Sequence, residues 1–253
     1  MSSAVLNKPS AKTTVHTNGV VGNITSRRLP RKVDYPEGDG KPMAETPEHG
    51  DAMYYAVSAA RAALDGIADV YVAGNNFVYY VEGDVRKRVS PDCYVVLDVP
   101  RRARRSYKTW EDGGRTPNVV WEFTSRKTAK EDREDKFVLY EQVLKVPEYF
   151  LFDPLDQYLK PRLQGYRLNS NGAYIPVLPD VEGRFDSEQT GIKMFADGQI
   201  LRFVHPSTGA ILPTYAEAEA GLESAKRNRA ILQNAEAEIA RLRAEIDRLK
   251  ANG

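Results

Sequence analysis

Two stretches of the chain decide the fold: RVSPDCYVVLDVP, residues 88–100, and NVVWEFTSRKT, residues 118–128. Each contains a short run of β-branched and aromatic residues bounded by turn-forming residues, which predicts a buried strand. Each also carries one carboxylate close to that run, Asp92 in the first and Glu122 in the second. If the strands are neighbours in one sheet, the two carboxylates converge, and such hard oxygen ligands suit Mg²⁺ or Mn²⁺.

A lysine in the following segment points to the same place. The segment EDREDKFVLYEQVLKV, residues 131–146, has the spacing of a helix, and Lys136 falls on its apolar arc beside Phe137 and Tyr140. A charge on an apolar arc costs free energy unless it has a partner or a task. Two strand carboxylates and one inward lysine together predict metal-assisted hydrolysis of a phosphodiester.

Each of these residues also has a simpler explanation. Asp92 follows Pro91 and is also typical of a turn that opens a strand. Glu122 could be a strand carboxylate paired with an arginine, and Lys136 could extend its ammonium from the apolar face to water. The three coincide in one order along the chain, between buried strands, which favours a shared function.

At this point the residues match a family. The two stretches above and KFVLYEQVLKVPEYFLFDP, residues 136–154, resemble the Uma-two family, a restriction-endonuclease-like group of the PD-(D/E)XK superfamily. The resemblance covers about residues 35–212 and implies a restriction-endonuclease-like α/β core. It implies that Asp92 is the metal-ligating aspartate after proline and that Glu122 is the second acid of the motif.

The chain departs from the superfamily pattern at one position. Thr124 stands where the motif has a lysine, on the same strand face as Glu122. The resemblance makes Lys136 a migrated substitute for that lysine. It also implies an assisting acidic residue on the first core helix, for which Glu45 is our choice and Glu48 the rival. His49, which follows them, could orient a carboxylate or water. Alternatively, it is a residue at the start of the helix without a role in the site.

A basic segment follows the strand that Asp92 opens. Between residues 86 and 108 there are eight lysines or arginines and two aspartates. Clamping of nucleic-acid phosphates is one interpretation of this charge. The other is a solvated loop, or arginines that pair with an acidic surface. The predicted nucleic-acid-binding residues are Arg101, Arg102, Arg104, Arg105 and Lys108.

The order of predicted elements indicates an α/β fold, a mixed sheet flanked by helices. Residues 1–42 are predicted to be a disordered basic tail, and 43–212 a restriction-endonuclease-like nuclease domain whose part 163–212 is a β-rich extension. That extension contains two predicted hairpins, one around Asn-Ser-Asn-Gly at 169–172 and one around Ser-Thr-Gly-Ala at 207–210.

Residues 213–253 are predicted to be a C-terminal coiled-coil helix. Apolar residues alternate at spacings of three and four, with Leu232, Ile239 and Ile246 at heptad position a and Leu242 and Leu249 at position d. Isoleucine at a with leucine at d favours two parallel strands. The sequence therefore predicts a parallel homodimer through this helix.

Composition restricts the remaining choices. The formal net charge of +1 gives no argument for nucleic acid from bulk charge, and the single cysteine excludes an internal disulfide. There is no secretory signal and no apolar run of membrane-spanning length, so we expect a cytoplasmic protein without a membrane partner. The predicted function is a Mg²⁺- or Mn²⁺-dependent endonuclease acting on DNA. The alternative is a catalytically inactive nucleic-acid-binding or scaffold protein on a nuclease fold.

Overall fold

The structure is a computed structural model that describes residues 33–38 and 46–251. Its helices and strands, in chain order, are α1 (Pro47–Ala63), β1 (Val70–Ala73), β2 (Val78–Tyr79), β3 (Arg88–Val89), β4 (Cys93–Leu97), β5 (Tyr107–Lys108), β6 (Val119–Phe123), α2 (Ala129–Arg133), α3 (Asp135–Val138), β7 (Glu148–Phe152), β8 (Leu163–Leu168), β9 (Tyr174–Val177), β10 (Phe185–Asp186), β11 (Lys193–Asp197), β12 (Ile200–Val204) and α4 (Tyr215–Ala251). A 3₁₀ turn at Thr109–Asp112 and a π-helical turn at Leu139–Val143 complete them.

A six-stranded mixed sheet forms the centre of the fold, in the order β1-β4-β6-β7-β8-β9. β6 and β7 are parallel, and the other neighbours are antiparallel. The parallel pair requires a crossover, which the helical segment between residues 129 and 143 supplies. The α/β class with a mixed sheet flanked by helices and a long C-terminal helix is confirmed.

Two three-stranded sheets cover the central one. One has the order β3-β2-β5 and the other the order β10-β11-β12. β1 and β2 are separated by only four residues, Gly74 to Phe77, but they do not form a hairpin. β1 pairs with β4, whereas β2 pairs with β3 and β5. Both partners of β2 are two-residue strands, too short to give a clear alternating pattern.

The two hairpins predicted between residues 163 and 212 have different outcomes. β8 and β9 pair antiparallel around the predicted turn, with Leu168 opposite Tyr174. After β12 the chain does turn back, but only Ile211 pairs with Val204, in an isolated bridge. The full partner of β12 is β11, which precedes it.

The core consists of two apolar clusters, one on each face of the central sheet. Successive residues of a strand point to opposite faces, so Trp121 packs on the face covered by α1 and the β10-β11-β12 sheet. Val120 packs on the other face, with Tyr140 and Tyr149. Both faces of β6 are therefore buried, which explains why its sequence is almost continuously apolar.

The C-terminal helix α4 has no buried residue over its 37 residues. It starts with a capping box, because Thr214 N–H donates to Glu217 Oε2 at 2.8 Å and Glu217 N–H donates to Thr214 Oγ1 at 3.3 Å. Arg202 on β12 donates two hydrogen bonds to the same carboxylate, at 2.9 and 3.0 Å. These contacts fix the first turn of α4 to the sheet below it. None of the described helices combines the length and apolar character that crossing a bilayer requires.

Part of the predicted tail contacts the body of the protein. Tyr35 packs edge-on against Tyr79 at a ring distance of 5.0 Å, and its hydroxyl accepts a hydrogen bond from Gly83 N at 2.6 Å. Tyr79 in turn donates to the carbonyl of Pro36. Apart from 33–38, the predicted tail lies outside the described residues, and the domain boundaries at 42/43 and 212/213 stay predictions.

We predict that Glu148→Ala lowers the free energy of unfolding by about 3 kcal/mol, because it removes the acceptor of a buried charged network. Glu148 is fully buried on β7 and accepts from Arg167 Nε at 3.0 Å, Ser187 Oγ at 2.5 Å and Glu188 N at 2.8 Å. Denaturant unfolding measures the change. The control is Glu182→Ala, since Glu182 is exposed and pairs only with the surface residue Arg184. Equal, small effects of both substitutions would contradict the prediction.

Candidate active site

Asp92 and Glu122 lie side by side at one end of the β4–β6 pair. β4 and β6 are antiparallel, with Cys93 opposite Trp121, so the residue before Cys93 lies next to the end of β6. Phe123 N–H donates to Asp92 Oδ2 at 2.8 Å, and Asp92 N–H donates to Glu122 Oε2 at 3.3 Å. The structure thus brings together the two carboxylates that the sequence analysis singled out.

Lys136 reaches the same point from the crossover. Its ammonium lies 2.9 Å from Glu122 Oε2 and 3.0 Å from Asp132 Oδ1, with its side chain 11% exposed. The predicted continuous helix over 131–146 is broken, because α2 ends at Arg133, α3 covers only four residues and a π-helical turn follows. Such π-helical turns are frequent at functional sites.

Two members of this cluster were not predicted. Asp132 is buried and lies one helical turn before Lys136, so the i, i+4 spacing of opposite charges was a signal in the sequence. Tyr140 is fully buried, and its hydroxyl donates to Glu122 Oε1 at 2.8 Å. An aromatic residue on an apolar arc looks like core packing, so nothing in the sequence separated Tyr140 from its neighbours.

His49 joins the cluster from the start of α1. Thr46 is the N-cap of this helix, and its side chain accepts from His49 N at 3.3 Å. The imidazole Nε2 lies 3.2 Å from Asp92 Oδ2. Of the two acidic residues considered on this helix, Glu45 lies outside the described residues, while Glu48 is exposed and lines a cleft next to His49.

Burial and charge act on these groups in opposite directions. Burial raises the pKa of Glu122 well above its usual range and raises the pKa of Asp132, although Lys136 opposes both shifts. Burial also acts to raise the pKa of Asp92, but the hydrogen bond with His49 and the charge of Lys136 bring it below its usual value. Burial acts to lower the pKa of Lys136, and the surrounding carboxylates raise it well above its usual value.

The donor set is compatible with a hard divalent cation. The site contains three carboxylates, those of Asp92, Glu122 and Asp132, and one ammonium, that of Lys136. When all four are ionised, the net charge of this largely buried place is −2, which favours the binding of an additional cation. Asp92 Oδ1 receives no hydrogen bond from the described residues. Within this part of the chain no three histidine, cysteine or acidic side chains converge into a ready metal site. Mg²⁺ usually keeps several waters and takes one or two carboxylates, which fits Asp92 and Glu122.

A cleft of about 220 Å³ opens beside the cluster. Three segments form its walls: the start of α1, the residues after β6 and the turn after β7. His49 and Thr124 link the cleft to the carboxylates, while Thr124 Oγ1 donates to the carbonyl of Phe152 at 3.0 Å. The lining residues are Thr46, Glu48, His49, Thr124, Ser125, Arg126, Lys127, Pro154, Leu155 and Tyr158.

The predicted nucleic-acid-binding residues lie elsewhere. Asp92 precedes β4, whereas the arginines follow its other end, and the five residues of β4 at about 3.3 Å each separate them by roughly 16 Å. Each basic side chain has an acidic partner within 4 Å: Arg101 with Asp65, Arg102 and Arg104 with Asp112, Arg105 with Glu37, and Lys108 with Glu111.

Arg104 is the most buried of this group. Its guanidinium lies over the ring of Tyr71 at 4.5 Å and makes two bonds of 3.0 Å to Asp112. These contacts correspond to the pairing alternative for this residue. A role of the five residues in binding nucleic acid stays a prediction, and the structure does not bring them to the carboxylates.

Comparisons with known proteins gave a family match and a structural match of low similarity. The profile of the Uma2 family, described as "Putative restriction endonuclease", matches residues 26–196, more than half of the chain. Among solved structures, a protein of Anabaena variabilis described as a "putative nuclease belonging to DUF820" is similar, at 14% identity and a TM-score of 0.36. That match covers 48% of this chain and 63% of the other, less than two thirds of its length. No curated protein matches the chain.

We predict that Lys136→Met destabilises the fold by about 3–5 kcal/mol at neutral pH, because it leaves Glu122 and Asp132 buried without their cation. Lys130→Met is the matched control, because the Lys130 side chain on α2 is 81% exposed. Its ammonium lies 4.0 Å from the Glu134 carboxylate, a weak surface pair. Denaturant unfolding of both variants measures the difference. If the two substitutions lower the free energy of unfolding by the same amount, the ion pair of Lys136 does not stabilise the fold.

Proposed function

This chain belongs to the Uma2 family, and from that premise we propose that it is a metal-dependent endonuclease that hydrolyses phosphodiester bonds in DNA. The observation that carries the proposal is a largely buried group of three carboxylates beside an open cleft, with Glu122 and Asp132 on the ammonium of Lys136 and Asp92 next to Glu122. A buried excess of negative charge is costly for folding, so a site that keeps it is a candidate for binding a cation.

Asp92 and Glu122 would hold the metal, and Mg²⁺ or Mn²⁺ suits their oxygens. When bound, such an ion polarises the phosphoryl oxygen and lowers the pKa of a bound water. In the hydrolysis the water oxygen bonds to phosphorus, the bond from phosphorus to the leaving oxygen breaks, and the leaving oxygen gains a proton while the water loses one.

The residues of the chain have separate tasks in this proposal. Lys136 has three N–H donors and two carboxylate partners, so one donor remains to meet the negative charge that develops on the phosphoryl group. His49 holds Asp92 Oδ2 and leaves Oδ1 for the ion. Tyr140 fixes the far oxygen of Glu122. Glu45 or Glu48 would assist from the start of α1.

The alternative is a nucleic-acid-binding or scaffold protein that no longer cuts. One observation favours it: both oxygens of Glu122 already accept hydrogen bonds, and the side chain is fully buried. A purely structural ion pair would look the same. Metal binding and cleavage separate the two functions, because only the nuclease requires both.

A parallel homodimer through α4 is the second part of the proposal. Leu232, Ile239, Ile246 and Leu249 are all exposed on a helix that buries nothing against its own domain. In a parallel pair, Glu238 would face Arg243 of the partner subunit. Glu245 would likewise face Lys250 of the partner subunit, so both contacts join opposite charges. The dimer would then carry two active sites in one assembly.

We predict that Mn²⁺ raises the melting temperature of the wild-type protein and that Asp92→Asn abolishes this shift. An ion that binds only the folded state stabilises it, by about 2.7 kcal/mol when the ion concentration is a hundred times the dissociation constant. Asp98→Asn is the control, since Asp98 is an exposed aspartate beyond the other end of β4. Cleavage of DNA should show the same dependence on Mn²⁺ and on Asp92. An undiminished shift in Asp92→Asn would place the metal elsewhere.

For assembly, we predict that Ile239→Asp with Ile246→Asp converts a dimer into a monomer in sedimentation experiments at micromolar concentration, because it places charges in the apolar seam. Ala237→Asp with Ala244→Asp adds the same charges at outward heptad positions and should leave the dimer intact. A wild-type monomer, or a dimer that survives the seam substitutions, would rule out this interface.

A further inference from the structure

The walls of the cleft next to the carboxylates differ in chemistry. Pro154, Leu155 and Tyr158, from the turn after β7, form an apolar and aromatic wall. The residues after β6 contribute the exposed cations Arg126 and Lys127 to the same cleft. Proteins hold an unpaired nucleotide with an aromatic surface and cations in one groove, the base on the ring and the phosphate on the charges.

The aromatic wall is held in place by its own backbone. The carboxylate of Asp153 accepts hydrogen bonds from the amide groups of Leu155 at 3.0 Å and Leu159 at 3.0 Å, and also from that of Tyr158. Because Tyr158 is fixed through its amide group, the ring can be replaced without removing the contacts that shape the turn.

The size of the cleft restricts what can enter. The cleft, with a volume of about 220 Å³, is small beside a nucleic-acid duplex. A base of a duplex would have to leave its pair and its stack to enter this space, whereas an unpaired base would not. Asp92, Glu122 and Lys136 do not line the cleft and are 14%, 0% and 11% exposed, so a phosphate on a rigid duplex would have to stop short of them.

We propose that this cleft binds an unpaired nucleotide beside the scissile phosphate, so that the substrate is single-stranded DNA. The proposal rests on the nuclease function proposed above and specifies its substrate class. Tyr158 supplies the stacking surface, Arg126 and Lys127 contact the phosphate, and His49 and Thr124 border the path from the cleft to Asp92 and Glu122.

The test measures binding apart from chemistry. Fluorescence anisotropy in EDTA compares a labelled single-stranded 12-mer with a duplex of the same sequence, at one fixed salt concentration. We expect the wild-type protein to bind the single strand about tenfold more tightly. Tyr158→Ala should lose about tenfold for the single strand, in the range that base stacking provides. Tyr158→Phe should keep the affinity because its ring remains.

Tyr215→Ala is the matched control, because Tyr215 is an exposed tyrosine at the start of α4 and does not line the cleft. Equal affinity for duplex and single strand, or an unchanged affinity in Tyr158→Ala, would overturn the inference. Cleavage with Mn²⁺ then separates the two proposals. Preferential cutting of the duplex would overturn the single-stranded substrate class but support the nuclease function. Tighter binding of the single strand without any cutting would overturn the nuclease function and support the cleft as a binding site for an unpaired nucleotide.

Discussion

The ion pair between Lys136 and Glu122 is the constraint on which the rest of the site depends. A fully buried carboxylate requires partners on every side, and Glu122 obtains them from three directions: Lys136, Tyr140 and the backbone of Asp92. Each partner comes from a different element, so the crossover helix, the π-helical turn and β4 all have to be in place before this charge is satisfied. The position of Asp92 next to the cleft follows from that requirement.

The sequence predicted the main parts of this arrangement for physical reasons. Period-two alternation placed Glu122 on one face of β6, and the apolar arc placed Lys136 towards the same face. Asp132 was detectable from its spacing to Lys136, but Tyr140 was not, because a tyrosine that donates one hydrogen bond has the same sequence pattern as one that only packs. The pairing of β2 depended on the two-residue strands β3 and β5, for which periodicity gives no information.

The arginine-rich segment illustrates a different limit. The sequence shows that Asp92 opens the strand and that these residues follow it, but it does not show whether the segment folds back towards the acid. In the structure it does not, and β4 separates Asp92 from the arginines. Local acidic residues such as Asp112 and Asp65 then pair with them. Proximity along the chain therefore overstated proximity in space. The cations that do line the cleft, Arg126 and Lys127, lie in a segment in which basic and acidic residues nearly balance.

The parallel β6–β7 pair has a consequence for how the protein folds. Glu122, Asp132, Lys136 and Tyr140 all lie within the one β-helix-β unit between residues 119 and 152. Contacts that are close in sequence form with a small loop-closure cost, so this unit is a natural early nucleus. Its charges must lose water in the same step, because a dehydrated Glu122 without Lys136 is strongly unfavourable. We expect the unit to form cooperatively, with α1 and the β10-β11-β12 sheet docking afterwards on a surface that already carries the ion pair of Lys136 and Glu122.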